Sequence, residues 1–302
     1  MRACVAMMGL GLVALACTRH APPGRATEPH DSAPPALALG DAGPEAGAPD
    51  AGSEAGSEEA PLSGFQEEVE LRDGTEKLGF VSVPLGARGR RPIMIAIHGG
   101  SDKPERACSA WRGVTDAYPF VVCPRGFGGN EARLGWRTTA DTTNRIARAV
   151  AATKKLFPQW VEETEAVVLA GFSMGGSQVA LLARDAPQTY KRIVVGDSAH
   201  DPRPALTFSR AWVEGGGERA VFLCTTSGCE PSFRKAARNV AAQNAPARLN
   251  IAPTQVHGLS EPVVQSMRRD WSWLIEGAPG WEKYVPPAGV SLPGKTESFG
   301  PD

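Results

Sequence analysis

Residues 167–177 read Val167-Val168-Leu169-Ala170-Gly171-Phe172-Ser173-Met174-Gly175-Gly176-Ser177. Apolar residues run straight into the Gly171-x-Ser173-x-Gly175 pattern, as expected of a short strand buried on both faces. Good helix formers over 174–183 run straight out of it. A strand that becomes a helix in one residue forces that residue into a strained backbone conformation. It also lifts the side chain above the sheet edge, over the positive end of the new helix. The bare pattern is weak; the strand before and the helix after give it weight. Ser173 is the candidate nucleophile.

Working outward, strands and helices alternate. Strands are expected over 65–71, 78–84, 93–97, 120–123, 166–170, 193–196, 220–225 and 248–251. The first two are separated by Asp73-Gly74 and read as a hairpin. Helices are expected over 105–117, 142–157, 174–185, 233–244 and 261–275, with a short one around 204–213. Asp141, three residues after Thr138, reads as part of a helix cap. A hairpin followed by repeated βα units predicts an α/β domain over 65–276, a mostly parallel sheet of about eight strands with helices on both faces. Residues 277–302 read as a Pro/Gly-rich C-terminal tail.

Five segments carry a family resemblance: His98-Gly99-Gly100 after one strand, Cys123-Pro124-Arg125-Gly126 after the next, Gly135-Trp136, the Gly171–Gly176 run, and Val256-His257-Gly258 before the last helix. Over residues 91–276 the chain resembles the α/β-hydrolase superfamily. Within it, the chain is similar to compact secreted esterases of the polyhydroxybutyrate depolymerase and feruloyl esterase type. The resemblance implies a Ser-His-acid triad and two N–H donors for an oxyanion. One donor would be the Met174 amide. The other would come from the glycines after His98, with Gly100 as the expected residue.

The base follows by elimination among five histidines. His20 and His30 lie in an N-terminal segment that cannot fold, and His98 belongs to the glycine loop. His257 follows the last strand and fits the order Ser then His, whereas His200 reads as a surface loop residue. The acid stays open. The usual loop reads Thr225-Thr226-Ser227-Gly228-Cys229-Glu230-Pro231 and holds no Asp. Glu230 is the first candidate, Asp197 the second and Asp201 the third. Trp136, together with Trp111, Phe127 and Trp212, could line a substrate pocket. Only about 20 residues separate Asp197 from the next strand, too few for a large cap. That predicts an open site suited to bulky or polymeric esters.

Residues 1–16 read as a signal peptide, with Arg2 before an apolar run too short to span a bilayer. Ala14-Leu15-Ala16-Cys17 resembles a bacterial lipobox, so Cys17 is the expected lipidation site and the protein an exported, membrane-anchored lipoprotein; plain secretion or a periplasmic location is the alternative. Residues 17–64 then form an acidic Ala/Gly/Pro-rich tether without an aromatic residue, too poor in apolar surface to offset the entropy of ordering.

Over all 302 residues the net charge is −1, which argues against a nucleic-acid partner. The six cysteines show no zinc spacing, and no metal or organic cofactor is expected. Cys4 lies in the signal segment. The four in the domain allow three pairings; Cys108–Cys123 would pin a helix beside the sheet, and Cys224–Cys229 would brace the loop before Glu230. The expected activity is ester hydrolysis through an acyl-enzyme. The rivals are a peptidase with the same triad and a non-catalytic surface lipoprotein that uses the fold for binding. Oligomeric state is not legible.

Overall fold

A computed structural model describes residues 60–129, 133–163, 168–198, 200–288 and 292–301. The signal segment, Cys17, His20, His30 and the tether up to residue 59 lie outside the described residues.

Nine strands make one sheet: β1 (Glu68–Asp73), β2 (Glu76–Ser82), β3 (Ile93–Ile97), β4 (Phe120–Pro124), β5 (Val168–Phe172), β6 (Arg192–Gly196), β7 (Arg219–Cys224), β8 (Ala247–Ile251) and β9 (Lys295–Phe299). Their order is β1-β2-β4-β3-β5-β6-β7-β8-β9. β1 and β2 form the expected hairpin, and β2 runs antiparallel to β4. From β4 through β8 every neighbouring pair is parallel. The helices are α1 (Pro104–Val114), α2 (Thr139–Leu156), α3 (Met174–Asp185), α4 (Arg203–Thr207), α5 (Ser209–Glu214), α6 (Glu230–Ala241) and α7 (Glu261–Ile275).

Strand alternation divides the core into two layers. Ile93, Ile95 and Ile97 of β3 face one way and pack in the same cluster as Ile146 of α2, Val179 of α3 and Phe233 of α6. Met94 and Ala96 face the other way, with Trp111 of α1 and Trp271 of α7. Those two indoles lie 6.3 Å apart between ring centres, and both are buried. A strand covered on both faces must be apolar at every position, which is why β3, β4 and β5 show no polar alternation. The start of α2 is set locally: the Thr138 hydroxyl accepts the Asp141 amide at 3.1 Å, so Asp141 belongs to a cap.

The domain reaches further at both ends than 65–276. Leu62 is buried, and its amide donates to the Ala87 carbonyl at 2.9 Å, so the expected tether joins the fold before residue 64. At the other end, Lys295–Phe299 is not tail but a ninth strand, antiparallel to β8. Its sequence has one apolar residue in five and could not announce itself. Partners hold it instead: Thr296 Oγ1 donates to buried Asp270 at 2.8 Å, and Arg234 reaches Glu297 at 2.8 and 3.0 Å. The short helix expected around 204–213 is two consecutive turns, α4 and α5, on α3 and α6. Among the described residues no helix is long and apolar enough to cross a membrane.

Candidate active site

The C-terminal ends of parallel strands are where an open α/β sheet binds ligands. Here they surround an open cleft of about 990 Å³, whose lining includes Gly99, Gly100, Trp136, Ser173, Met174, His200 and His257.

Ser173 sits between β5 and α3 with φ 57° and ψ −122°. This is the strained turn expected from the sequence, and such a conformation costs on the order of 1–3 kcal/mol. Its neighbours explain the glycines: a Cβ on Gly175 would lie 2.2 Å from the Ile97 carbonyl oxygen, which backbone cannot yield. The Ser173 amide donates to Gly196 at 2.8 Å, so the turn is anchored to β6. Met174 opens the helix and is partly exposed.

The loop after β3 passes directly over this turn. A Cβ on Gly99 would stand 3.3 Å from Ser173 Cβ, so a side chain there would crowd the serine. His98 holds the loop from inside. Its Nδ1 lies 2.7 Å from the Gly99 carbonyl, and its Nε2 lies 2.9 Å from the Gly126 amide nitrogen. A carbonyl only accepts and an amide N–H only donates, so the ring is neutral with its proton on Nδ1. Burial agrees, pushing the His98 pKa below its ordinary value against weaker opposing effects of the Gly99 hydrogen bond and nearby acids. The His98 carbonyl accepts the Trp136 indole N–H at 2.8 Å, and Leu134 accepts the Ser101 amide at 2.7 Å. Ser101 itself has φ 57°. Trp136 thus borders the cleft but spends its polar edge on the loop, leaving it nearly buried.

Opposite stands His257, after β8. Its ring lies 4.9 Å from Phe172 and edge-on to His200 at 5.5 Å, centre to centre. Nδ1 faces Asp197 Oδ2 at 3.5 Å. Asp197 is fully buried, directly follows β6, and has φ 25°. The same Oδ2 accepts from Thr225 Oγ1 at 2.6 Å, Thr226 Oγ1 at 3.1 Å and the Thr225 amide at 3.3 Å. Burial pushes the Asp197 carboxyl up, but hydrogen bonds from His257, Thr225 and Thr226 and the His257 charge outweigh it, so the pKa lies below the ordinary range. The group is a carboxylate at neutral pH.

Of the three carboxylates considered, the structure brings Asp197 to the histidine. Glu230 opens α6 instead and pairs with Arg234 one turn on, at 3.4 Å. A Glu in a first turn beside Pro231 is stabilised by the helix dipole, which accounts for its position without any role in the cleft. Asp201 lines the cleft but pairs with Arg203 at 3.1 Å. His200 is exposed, as expected of a loop residue, yet it also borders the cleft beside His257. Trp111 and Trp212 belong to the core, and Phe127 carries the guanidinium groups of Arg137 and Arg145 on its ring. Sequence reasoning missed Thr225 and Thr226. Their one signal is a pair of hydroxyls directly after a buried strand. Both expected disulfides are present, Cys108–Cys123 and Cys224–Cys229. Among the described residues no group of three metal-ligating side chains stands together.

No family model and no curated protein matches the sequence. Among solved structures the chain is similar to Est1E from Butyrivibrio proteoclasticus, at 16% identity over 70% of this chain and 100% of that one, with a TM-score of 0.49. A dienelactone hydrolase from Anabaena variabilis matches at 16% identity over 72% and 98%, with a TM-score of 0.48. A Bacillus cereus carboxylesterase matches at 12% identity over 62% and 91%, with a TM-score of 0.44. The sheet carries the assignment without them. Five parallel pairings from β4 to β8, an antiparallel hairpin at the β4 edge and a strained serine between β5 and α3 give the chain the α/β-hydrolase fold.

Proposed function

We propose that the protein is a serine hydrolase that cleaves carboxylic esters. One observation carries the proposal: buried Asp197 faces Nδ1 of a histidine that lines the same cleft as strained Ser173. With Nδ1 turned to the carboxylate, His257 Nε2 is the nitrogen left for the serine. Ser173 Oγ attacks the ester carbonyl as its proton passes to Nε2. The amides of Gly100 and Met174 receive the oxyanion. The bond to the leaving oxygen breaks, and that oxygen takes the proton from His257 as the alcohol departs. Water, deprotonated by the same nitrogen, then releases the acid. Asp197 stays ionised and orients the ring.

The open cleft supports bulky or polymeric esters as substrates. A peptidase would use the same groups, but no observation favours amides. A non-catalytic binding role would not require a buried carboxylate facing the histidine, so the position of Asp197 favours the hydrolase reading. Export, with a lipid on Cys17 and an otherwise soluble domain, completes the proposal, and the two disulfides fit it.

Fluorophosphonate labelling tests the chemistry. Stoichiometric labelling of the folded protein that disappears in Ser173→Ala is expected; folded protein that takes no label overturns the proposal. Fast turnover of short p-nitrophenyl esters with every polymeric ester inert would remove the bulky-substrate part. Release of the full chain from the membrane fraction by Cys17→Ala tests the anchor, and an unchanged distribution would refute it.

A further inference from the structure

The connection between β7 and α6 closes on itself. Cys224 ends the strand, Cys229 stands immediately before the helix, and the two are disulfide-bonded across a separation of 5 residues. Three of the four residues between them contact Asp197 or the segment before His257. Thr225 Oγ1, Thr226 Oγ1 and the Thr225 amide all donate to Asp197 Oδ2, the oxygen that faces His257. Asp197 Oδ1 has no hydrogen-bond partner among the described residues. A buried carboxylate can turn about its Cβ–Cγ bond, and donors gathered on one oxygen stop that turning. Two residues further on, the Ser227 amide donates to Gln255 Oε1 at 2.9 Å. Gln255 lies two positions before His257, so the loop also holds the segment that carries the base.

We propose that Thr225 and Thr226 are positioning residues for Asp197, and that the Cys224–Cys229 bridge keeps them in place. Turnover then depends on this disulfide and not on Cys108–Cys123, which ties α1 to β4 in the core. The inference rests on the hydrolase reading of the site and adds to it a device for holding the acid. Without the threonine hydroxyls only the Thr225 amide, at 3.3 Å, still holds Oδ2, so the carboxylate turns more readily away from Nδ1 and the imidazole loses orientation in the transition state while the cleft still binds substrate.

The experiment is steady-state kinetics on a soluble ester together with fluorophosphonate labelling, using the full exported chain. Thr225→Val together with Thr226→Val keeps the side-chain shapes and removes the hydroxyls. Its kcat is expected to fall about 10- to 100-fold, the loss typical of a misplaced reacting group, with KM within about twofold of the parent. Thr225→Ser together with Thr226→Ser keeps both donors and should retain most of the parental rate. The double variant Cys224→Ala/Cys229→Ala should lose at least about tenfold in kcat, whereas Cys108→Ala/Cys123→Ala keeps the parental rate. Should the Cys224 and Cys229 variant fail to fold, the valine and serine variants still decide. Parent protein that takes no label overturns the hydrolase reading itself. Labelled, active parent with unchanged valine variants, or valine variants that raise KM and leave kcat alone, overturns this inference alone.

Discussion

The two walls of the cleft are built on opposite electrostatic plans. Where it passes Ser173 the wall after β3 is uncharged glycine backbone, held from beneath by a His98 ring whose two nitrogens are both taken by backbone, and the charged Asp102–Arg106 pair stands further along the chain. The wall after β6, β7 and β8, which carries His257, concentrates charge: a carboxylate buried at Asp197, with three donors from one loop on a single oxygen. Both contain a histidine, and surroundings alone separate them. His98 is 1% exposed and cannot take a proton without losing the Gly126 amide. The His257 side chain is 35% exposed and its Nδ1 faces the Asp197 carboxylate. A developing negative charge needs donors that do not move; a travelling proton needs a base that can become charged.

The comparison breaks most visibly on the charged wall. Asp197→Asn should lower kcat roughly 10⁴-fold with little change in KM, because the amide holds the wrong imidazole tautomer. Rate constants on a p-nitrophenyl ester measure this, and a loss under tenfold would deny Asp197 its role. On the neutral wall the larger effect is on stability. His98→Ala orphans the Gly99 carbonyl and the Gly126 amide, at about 1–3 kcal/mol each, read from denaturant unfolding.

The same histidine sets a pH dependence. Unfolded His98 takes up a proton below its ordinary pKa of 6.5, whereas the buried ring resists it. The unfolded state therefore binds more protons, and stability falls as pH drops from 6.5 toward the depressed folded value. Asp197 has the same sign at lower pH, its contribution fading below 3.8. Unfolding free energies at pH 7.5 and 5 should differ in the parent, with the difference reduced in a His98→Asn variant. Equal slopes in both would show that another group carries the effect.

The two disulfides sharpen the contrast further. Removing Cys108–Cys123, with a separation of 15, should cost roughly 3 kcal/mol by loop entropy; the 5-residue separation of Cys224–Cys229 should cost roughly 2 kcal/mol. The longer bridge thus matters more to stability, while the shorter one sits at the charged wall. The smallest effect belongs to Glu230→Gln. It loses an i,i+4 pair with Arg234 worth about 0.3–0.5 kcal/mol, and the rate on an ester should not change.

Much of this molecule is legible without coordinates because local rules agree. Apolar residues run from β5 into a glycine turn and out into α3, so strand, turn and helix are each favoured by their own residues. The same holds for the fully apolar β3 and β4 and for the cap at Thr138. Where local signals are absent, partners outside the segment supply the structure. Lys295–Phe299 becomes a strand because β8 offers an unpaired edge and Asp270 and Arg234 offer hydrogen bonds.

The carboxylate that faces His257 belongs to this second kind. From sequence, Glu230 stands in the expected loop and Asp197 does not, and chain order cannot rank them. Pairing of β6 with β7 decides it. Gly196 lies opposite Leu223, so Asp197 emerges beside Thr225, while α6 carries Glu230 away toward Arg234. Ser173, His257, the glycine loop and the candidate cysteine pairs could be named from residue type and order alone. Backbone preference and burial act over a few residues, so the sequence records them directly. Which carboxylate meets the histidine, and which hydroxyls hold it, depends on groups 28 to 60 positions apart meeting across strand ends, and only the register of the sheet brings them together.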